Sequence, residues 1–475
     1  MNPVSIIVND RLIADLRELP GDLYSHLLEA LAIPNLAKAQ AKKMDEWGWQ
    51  NLPDYVDLSR EISANGHDYL SMPRGFLPTL FEGLQAAGYE PDLIDDTYFE
   101  QRLRIGTRVT PRPWQENQVQ AILKYRQGII KSPAGSGKTV AVLDAIQRLG
   151  CKALIIVNTK DILWQWQDRV RTFLGDNIPI GQIGDNTFDV SPYITIATAQ
   201  TLHRRFDELE TDGFFDNFTF VCLDECHHAT AETYGKIMDR FSSKYRIGVS
   251  ATPDKTGDFT LAQMILGPVI HDTKPSEVTT LLKPKIIRVP TKFGFHFQGQ
   301  KNRWQRSNYP QMIEAIVNSA DRNGQIIHCI MAEKGHHQLL VTKRLEHIAI
   351  LEALLEQAEF PDPIVRVTGQ DKNEDREAAV ALLNSTPALM LSTLADEALD
   401  IPRLDRLHLV FPQKNTGLIT QQVGRVERIH PDKTDALVFD YVDGNVGPLM
   451  KQWRGRRFEV YEPRGYKIEV RKVEP

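Results

Sequence analysis

The segment Ser132-Pro133-Ala134-Gly135-Ser136-Gly137-Lys138-Thr139 constrains this chain more than any other. It follows the apolar run Ile129-Ile130-Lys131 and precedes the helix-patterned stretch Ala141–Leu149. A strand, a loop of small residues and a helix, in that order, form one unit of a parallel α/β sheet. Small residues let backbone N–H groups curl round a polyphosphate, and the helix N-terminus adds a favourable dipole. On this reading Gly135, Ser136 and Gly137 cradle ATP, Lys138 reaches the β- and γ-phosphates, and the Thr139 hydroxyl holds Mg²⁺. The competing reading of the segment alone is a Gly/Ser-rich turn before a helix. Its first position is Ser132, where the phosphate-loop pattern has Gly.

The rest of the chain agrees with an α/β class. Short apolar runs alternate with amphipathic stretches at 128–131, 153–157, 194–197, 220–223 and 246–250, and a second set follows at 286–289, 339–341, 364–367, 388–391, 407–411 and 436–439. This predicts two tandem parallel-sheet domains, 107–282 and 283–445. A small α/β N-terminal domain (1–106) precedes them and a basic tail (446–475) follows. At 475 residues, with 42% hydrophobic and 25% charged residues, the chain is a globular protein and not a disordered one. No apolar run approaches the roughly 20 residues that span a bilayer, and the first residues lack the pattern of an export signal. Four cysteines suit a reducing cytoplasm, so a bacterial or phage-infected cytoplasm is the expected location. The net charge of −6 argues against a global polyanion field. Residues 1–108 carry 10 basic against 17 acidic side chains, and residues 441–475 carry 8 against 5. Nucleic acid would therefore be met by local patches.

Leu223-Asp224-Glu225-Cys226-His227-His228 ends a second strand, Phe220-Val221-Cys222-Leu223. An acid there suits a second contact to Mg²⁺, and the carboxylate beside it can take the proton of an attacking water. Asp224 is assigned the metal and Glu225 the general base. A plain exposed strand end is the main rival, ahead of a zinc site of Cys222, Cys226, His227 and His228, for which Cys222 lies inside the strand and no second ligand pair follows at zinc spacing.

Together these residues resemble the motifs of superfamily 2 DExH-box helicases, and the resemblance covers most of 110–445. Pro111-Arg112-Pro113-Trp114-Gln115 looks like the adenine-reading segment, with Gln115 on the base. Asn158-Thr159-Lys160 and Thr198-Ala199-Gln200-Thr201 look like the segments that grip a nucleic-acid backbone. Ser250-Ala251-Thr252-Pro253 resembles the motif that couples hydrolysis to domain movement, through Ser250 and Thr252. Leu391-Ser392-Thr393 and Glu397 to Pro402 resemble the fifth motif, which adds Asp400 to the nucleotide site. Gln421-Gln422-Val423-Gly424-Arg425-Val426-Glu427-Arg428 matches Q-x-x-G-R-x-x-R at every fixed position. The resemblance implies that Gln421, Arg425 and Arg428 complete the catalytic set. Both arginines are expected one helical turn apart on one face, acting as arginine fingers. Ser132, Asn158 and Ala398 depart from the family pattern without removing a catalytic group.

Within the superfamily, Arg112-Pro113-Trp114-Gln115, Leu340–His347 and Asp321-Arg322-Asn323 look most like the Rad25/UvsW-like DNA repair and recombination branch and its type III restriction translocase relatives. The expected function is an ATP-dependent DNA helicase or translocase acting on branched, duplex or single-stranded DNA. An RNA helicase, or a motor or sensor subunit that needs a partner to unwind, are the rivals. Expected nucleic-acid contacts are Thr159, Gln200, Thr201, Gly369 and Thr393, with Trp304 in the loop between the two domains as a strand-separating wedge or, equally, as the one packed aromatic of a solvated loop. In the tail, Trp453 and Tyr461 among Lys451, Arg454, Arg456 and Arg457 read as DNA-contacting aromatics, with a charged helix packed on the second domain as the rival reading. The acidic N-terminal domain reads as substrate-sensing or protein-docking, with Arg74, Arg102, Arg104 and Arg108 as a local basic patch.

Overall fold

A computed structural model describes residues 3–35, 38, 49–51, 53–101, 110–133, 135–228, 231–251, 258–279, 281–296, 309–394 and 401–473. They divide into two compact units, one of 1–133 with 137–277 and one of 134–136 with 278–475. No helix among them is long and apolar enough to cross a membrane.

The first unit opens with a five-stranded sheet. Its strands are β1 (Pro3–Val8), β2 (Leu12–Asp15), β5 (Arg60–Ala64), β6 (His67–Met72) and β7 (Glu90–Asp95), in the order β5-β6-β2-β1-β7, while β3 (Ala32–Pro34) and β4 (Tyr55–Asp57) form a separate ribbon. Alternate residues Val4, Ile6, Leu12, Ala14, Leu70 and Met72 pack under the helices Gly21–Leu31 and Leu77–Ala86, as a one-sided sheet requires. The second sheet of this unit is β8 (Gln127–Lys131), β9 (Ala153–Val157), β10 (Ile180–Gly184), β11 (Thr187–Phe188), β12 (Ile194–Thr198), β13 (Phe220–Asp224), β14 (Tyr245–Ser250) and β15 (Val269–Asp272). Its order is β11-β10-β12-β9-β13-β14-β8-β15, parallel throughout except for the β10/β11 hairpin. Helices cover both faces, so the strands are apolar on both sides. Ile155, Cys222 and Ile247 face one core, and Leu154, Ile156 and Val221 the other. Each such side chain contributes about 1.5–3 kcal/mol of burial.

Three buried arginines tie these two sheets into one body. Arg11 pairs with Asp239 and donates to the Ser71 hydroxyl at 2.8 Å. Arg74 donates to the backbone oxygens of Ser243 at 2.6 Å and Lys244 at 3.2 Å. Arg246, on β14, donates to the backbone oxygen of Asp10 at 2.9 Å. Arg74 is thus an interior strut, which corrects its expected place in a basic surface patch. Backbone carbonyls from distant segments take the terminal N–H groups of Arg74 and Arg246 in place of water, while the Nε of each is buried without a partner. Arg102, Arg104 and Arg108 lie outside the described residues.

The second unit is a seven-stranded parallel sheet of β16 (Lys285–Pro290), β17 (His337–Val341), β18 (Ile364–Val367), β19 (Ala388–Ser392), β20 (Arg406–Leu409), β21 (Leu437–Val442) and β22 (Ile468–Val470), in the order β18-β19-β17-β20-β21-β16-β22. The expected tail is part of it. β22 pairs with β16, Trp453 and Tyr461 are 4% and 0% exposed, and Arg456 forms a two-pronged ion pair with Asp440, which also accepts from the Tyr461 hydroxyl at 2.8 Å. Those aromatics cannot stack on DNA. The alternation of charge and aromatic marks a helix, Gly447–Arg456, packed on its own domain.

Candidate ATP and nucleic-acid site

In the first unit β8, β13 and β14 run parallel, with β14 between the other two. Their C-terminal ends therefore lie on one edge, where ligands of open α/β sheets bind. β8 leads into the phosphate loop, β13 ends at Asp224 and β14 ends at Ser250. Gly137 caps the helix Lys138–Leu149 at φ 84°, in the left-handed region that favours glycine. A Cβ there would run into the Gln115 amide. Gln115 is buried at the third position of the helix Pro113–Tyr125, and its side-chain oxygen accepts from the Arg112 N–H at 2.8 Å. Gln115 is therefore packed against the loop between β8 and the helix Lys138–Leu149.

Lys138 Nζ lies 3.5 Å from Glu225 Oε1 and 3.4 Å from the backbone oxygen of Ser132. Glu225 is a non-glycine residue at φ 44°, a strained conformation of the kind that surrounding structure must hold in place. Its Oε2 sits 3.3 Å from His227 Nδ1, which also lies 2.9 Å from the Ser250 hydroxyl. His227 thus joins the acid box to the end of β14. Burial would raise the Glu225 pKa, but the Lys138 ammonium and His227 outweigh it and hold the carboxyl below its ordinary range. Asp224 moves the other way: burial first, then the negative charge of Glu225, push it up. Asp224 Oδ2 accepts from the Trp166 indole N–H at 2.7 Å, and Oδ1 from the Glu225 N–H at 2.9 Å. Each carboxylate oxygen retains acceptor capacity. With the Thr139 hydroxyl, this is a hard-oxygen set of one carboxylate plus what a triphosphate would add, which suits Mg²⁺.

Trp166, on the helix Lys160–Leu174, was not singled out by its sequence, where it reads as a core residue on an apolar helix face. It is 2% exposed. Replacing it with Phe keeps the ring packed and deletes one N–H. An oxygen of a half-buried carboxylate then loses its donor, a cost of about 1 kcal/mol. Trp166→Phe is expected to lower the urea midpoint accordingly and to raise the Mg²⁺ requirement for hydrolysis. An unchanged midpoint and Mg²⁺ titration would show that the indole N–H contributes nothing.

Among the expected backbone-gripping residues, Thr159 caps the helix Lys160–Leu174, its hydroxyl accepting from the Ile162 N–H at 3.4 Å. Thr198 at the end of β12 donates to the Thr201 hydroxyl at 2.8 Å, and Gln200 is exposed beside it. Asn158, where the family pattern has Pro, accepts from the Tyr234 hydroxyl. In the second unit Gly369 and Thr393 follow the adjacent parallel strands β18 and β19 and share one sheet edge. Thr252, Asp400 and Trp304 lie outside the described residues.

The arginine pair differs from expectation. The helix Thr416–Val426 carries Gln421 and a buried Arg425, but it stops before Arg428. Glu427 at its end is buried, with its side chain accepting from the Tyr466 hydroxyl at 2.5 Å and its backbone oxygen from the Leu282 N–H at 2.6 Å. Lys433 Nζ donates to the backbone oxygens of Val426 at 2.6 Å and Arg428 at 2.9 Å, and Arg428 forms a bridge with Leu281. A lysine on the last carbonyls caps the helix. The two arginines are consequently not one turn apart on a single helical face: Arg425 is on the helix and Arg428 in the turn beyond it.

Two domain families match this chain: the type III restriction enzyme res subunit over residues 108–255, and the helicase conserved C-terminal domain over residues 321–430. The chain is an ATP-dependent helicase of superfamily 2. This helicase is 28% identical to protein D10 of Escherichia phage T5 across 71% of its own length and 72% of that protein. It is 31% identical to the DNA 3'-5' translocase XPB2 of Sulfurisphaera tokodaii, over 47% of each chain. Its fold is shared with Saccharomyces cerevisiae Dbp5 bound to RNA and ADP BeF3, at a TM-score of 0.55 and 14% identity over 77% of this chain and 90% of that one.

Proposed function

We propose that this helicase is a Mg²⁺/ATP-dependent DNA helicase or translocase acting on branched or duplex DNA in recombination, repair or replication-fork processing. The observation that carries its motor chemistry is the convergence of Lys138, Asp224, Glu225, His227 and Ser250 at one sheet edge. The choice of DNA is supported by the likeness to a DNA translocase over 47% of the chain.

Lys138 leaves Glu225 for the β- and γ-phosphates when ATP binds, and the freed Glu225 carboxylate takes a proton from the attacking water. Thr139 and Asp224 would hold Mg²⁺, which would supply charge neutralisation on the phosphates. Gln115 reads the base against the phosphate loop, with Asp400 completing the nucleotide site. Gln421, Arg425 and Arg428 stabilise the charge that develops in transfer. His227 passes the state of Glu225 to Ser250 and so to the Thr252 segment. Thr159, Gln200, Thr201, Gly369 and Thr393 hold backbone phosphates and sugars without reading sequence, Trp304 is the strand-separating wedge, and the N-terminal domain senses substrate or docks a partner protein.

ATP hydrolysis by the full chain tests this, measured without nucleic acid and then with single-stranded DNA, duplex DNA, a four-way DNA junction and single-stranded RNA at one salt concentration. Stimulation is expected to be strongest on the junction and abolished by Lys138→Ala. Stimulation by RNA alone would overturn the DNA assignment and keep the motor. No stimulation by any of them would make this a motor subunit that needs a partner.

A further inference from the structure

The stretch 180–188 belongs to no helicase motif, yet it stands beside two of them. β10 and β11 form a hairpin whose turn residues, Asp185 at φ 50° and Asn186 at φ 60°, are both left-handed, the geometry that matches strand twist in a two-residue turn. Asp185 pairs with Lys160, next to Thr159. Gly184 lies against Thr198, close enough that a Cβ would meet its hydroxyl at 3.0 Å. The hairpin is thereby fixed to both backbone-gripping segments.

At its outer end Phe188 is 40% exposed and belongs to neither packed core of the sheet. The Arg205 guanidinium lies over its ring at 3.8 Å from the centroid, and Glu208 holds Arg205 there through a 2.8 Å bond to Nε. One face of the ring is covered by a cation and the ring remains open to water. A nucleobase stacks on such a ring whatever its identity, because every base has a π-face.

We propose that Phe188, backed by Arg205, is a stacking platform for one base of a single-stranded nucleic acid whose backbone crosses Thr159, Gln200 and Thr201. This rests on the backbone-gripping reading above and adds to it a contact to a base.

The test is equilibrium binding of fluorescently labelled dT20, rU20 and an abasic deoxyribose 20-mer to the full chain at several salt concentrations. The variants are Phe188→Ala, Phe188→Leu and Phe188→Trp. Loss of one stacked base is expected to weaken dT20 or rU20 binding about 5- to 150-fold. Leu, which keeps bulk but has no π-face, should behave like Ala, and Trp should restore binding. The salt slope should stay unchanged because no charge is removed, and wild type should lose its preference for dT20 over the abasic strand when Phe188 is replaced by Ala. If wild type binds and Phe188→Ala binds within twofold of it, the platform is wrong and the gripping residues stand. If Leu binds like wild type, the ring acts by bulk and stacking is refuted. If wild type binds no oligonucleotide, the gripping reading fails and the platform with it.

Discussion

Glu225→Gln is expected to retain ATP and nucleic-acid binding while hydrolysis falls by about 10²–10⁴, the usual contribution of a positioned general base. The amide preserves the shape of the side chain and its hydrogen bond from the Ala251 N–H, which spans 3.5 Å. It cannot accept a proton at neutral pH, and it removes the negative charge that Lys138 and His227 face. Losing that charge also relieves Asp224, whose carboxyl is pushed up by burial and by Glu225, so Mg²⁺ binding should be preserved. Single-turnover hydrolysis beside equilibrium nucleotide binding separates the two effects. Near-normal turnover would remove Glu225 as the base.

Arg428→Ala should leave nucleotide affinity nearly intact and cut turnover by about 10³–10⁵, the contribution of an arginine finger in related NTPases. Arg428 is the better of the two arginines to test. Arg425 is 8% exposed inside a helix, so its loss would disturb packing, whereas Arg428 lies beyond that helix and its backbone is held by Lys433 and the Leu281 bridge. Truncating its side chain leaves those ties in place. A fall in kcat with an unchanged KM is the expected signature, and Arg428→Lys should rescue little, because an ammonium lacks the two-pronged geometry of guanidinium. An unchanged kcat would contradict the assignment.

The motor site was legible because each of its groups stands at the end of an apolar run. Ile129 to Lys131 leads to the phosphate loop, and Phe220 to Leu223 to Asp224. In a parallel sheet the ends of such runs share one edge. The β10–β11 hairpin was not legible, since Ile180-Gly181-Gln182-Ile183-Gly184 has two glycines and no continuous apolar stretch. Arg74 read as part of a basic patch, and Arg11 and Arg246 carried no signal of an interior role, because nothing in their neighbourhoods shows that distant carbonyls would receive them. Trp453 and Tyr461 erred in the opposite sense. Aromatics among basic residues suit a nucleic-acid surface and a packed amphipathic helix equally well, and only burial separates the two.

The sequence by itself determined the order of strand, loop and helix and the residue types at each strand end, hence the class of fold and the chemistry available at one sheet edge. Apolar periodicity and loop composition act over a few residues, and that information is local. Tertiary structure decided which partner each functional group meets: the Trp166 indole on Asp224 from 58 residues away, His227 between Glu225 and Ser250, the lysine that ends the Arg425 helix before Arg428, and the ring of Phe188 under Arg205. These pairings depend on how crossover helices and strands pack on one another, and no spacing along the chain encodes that.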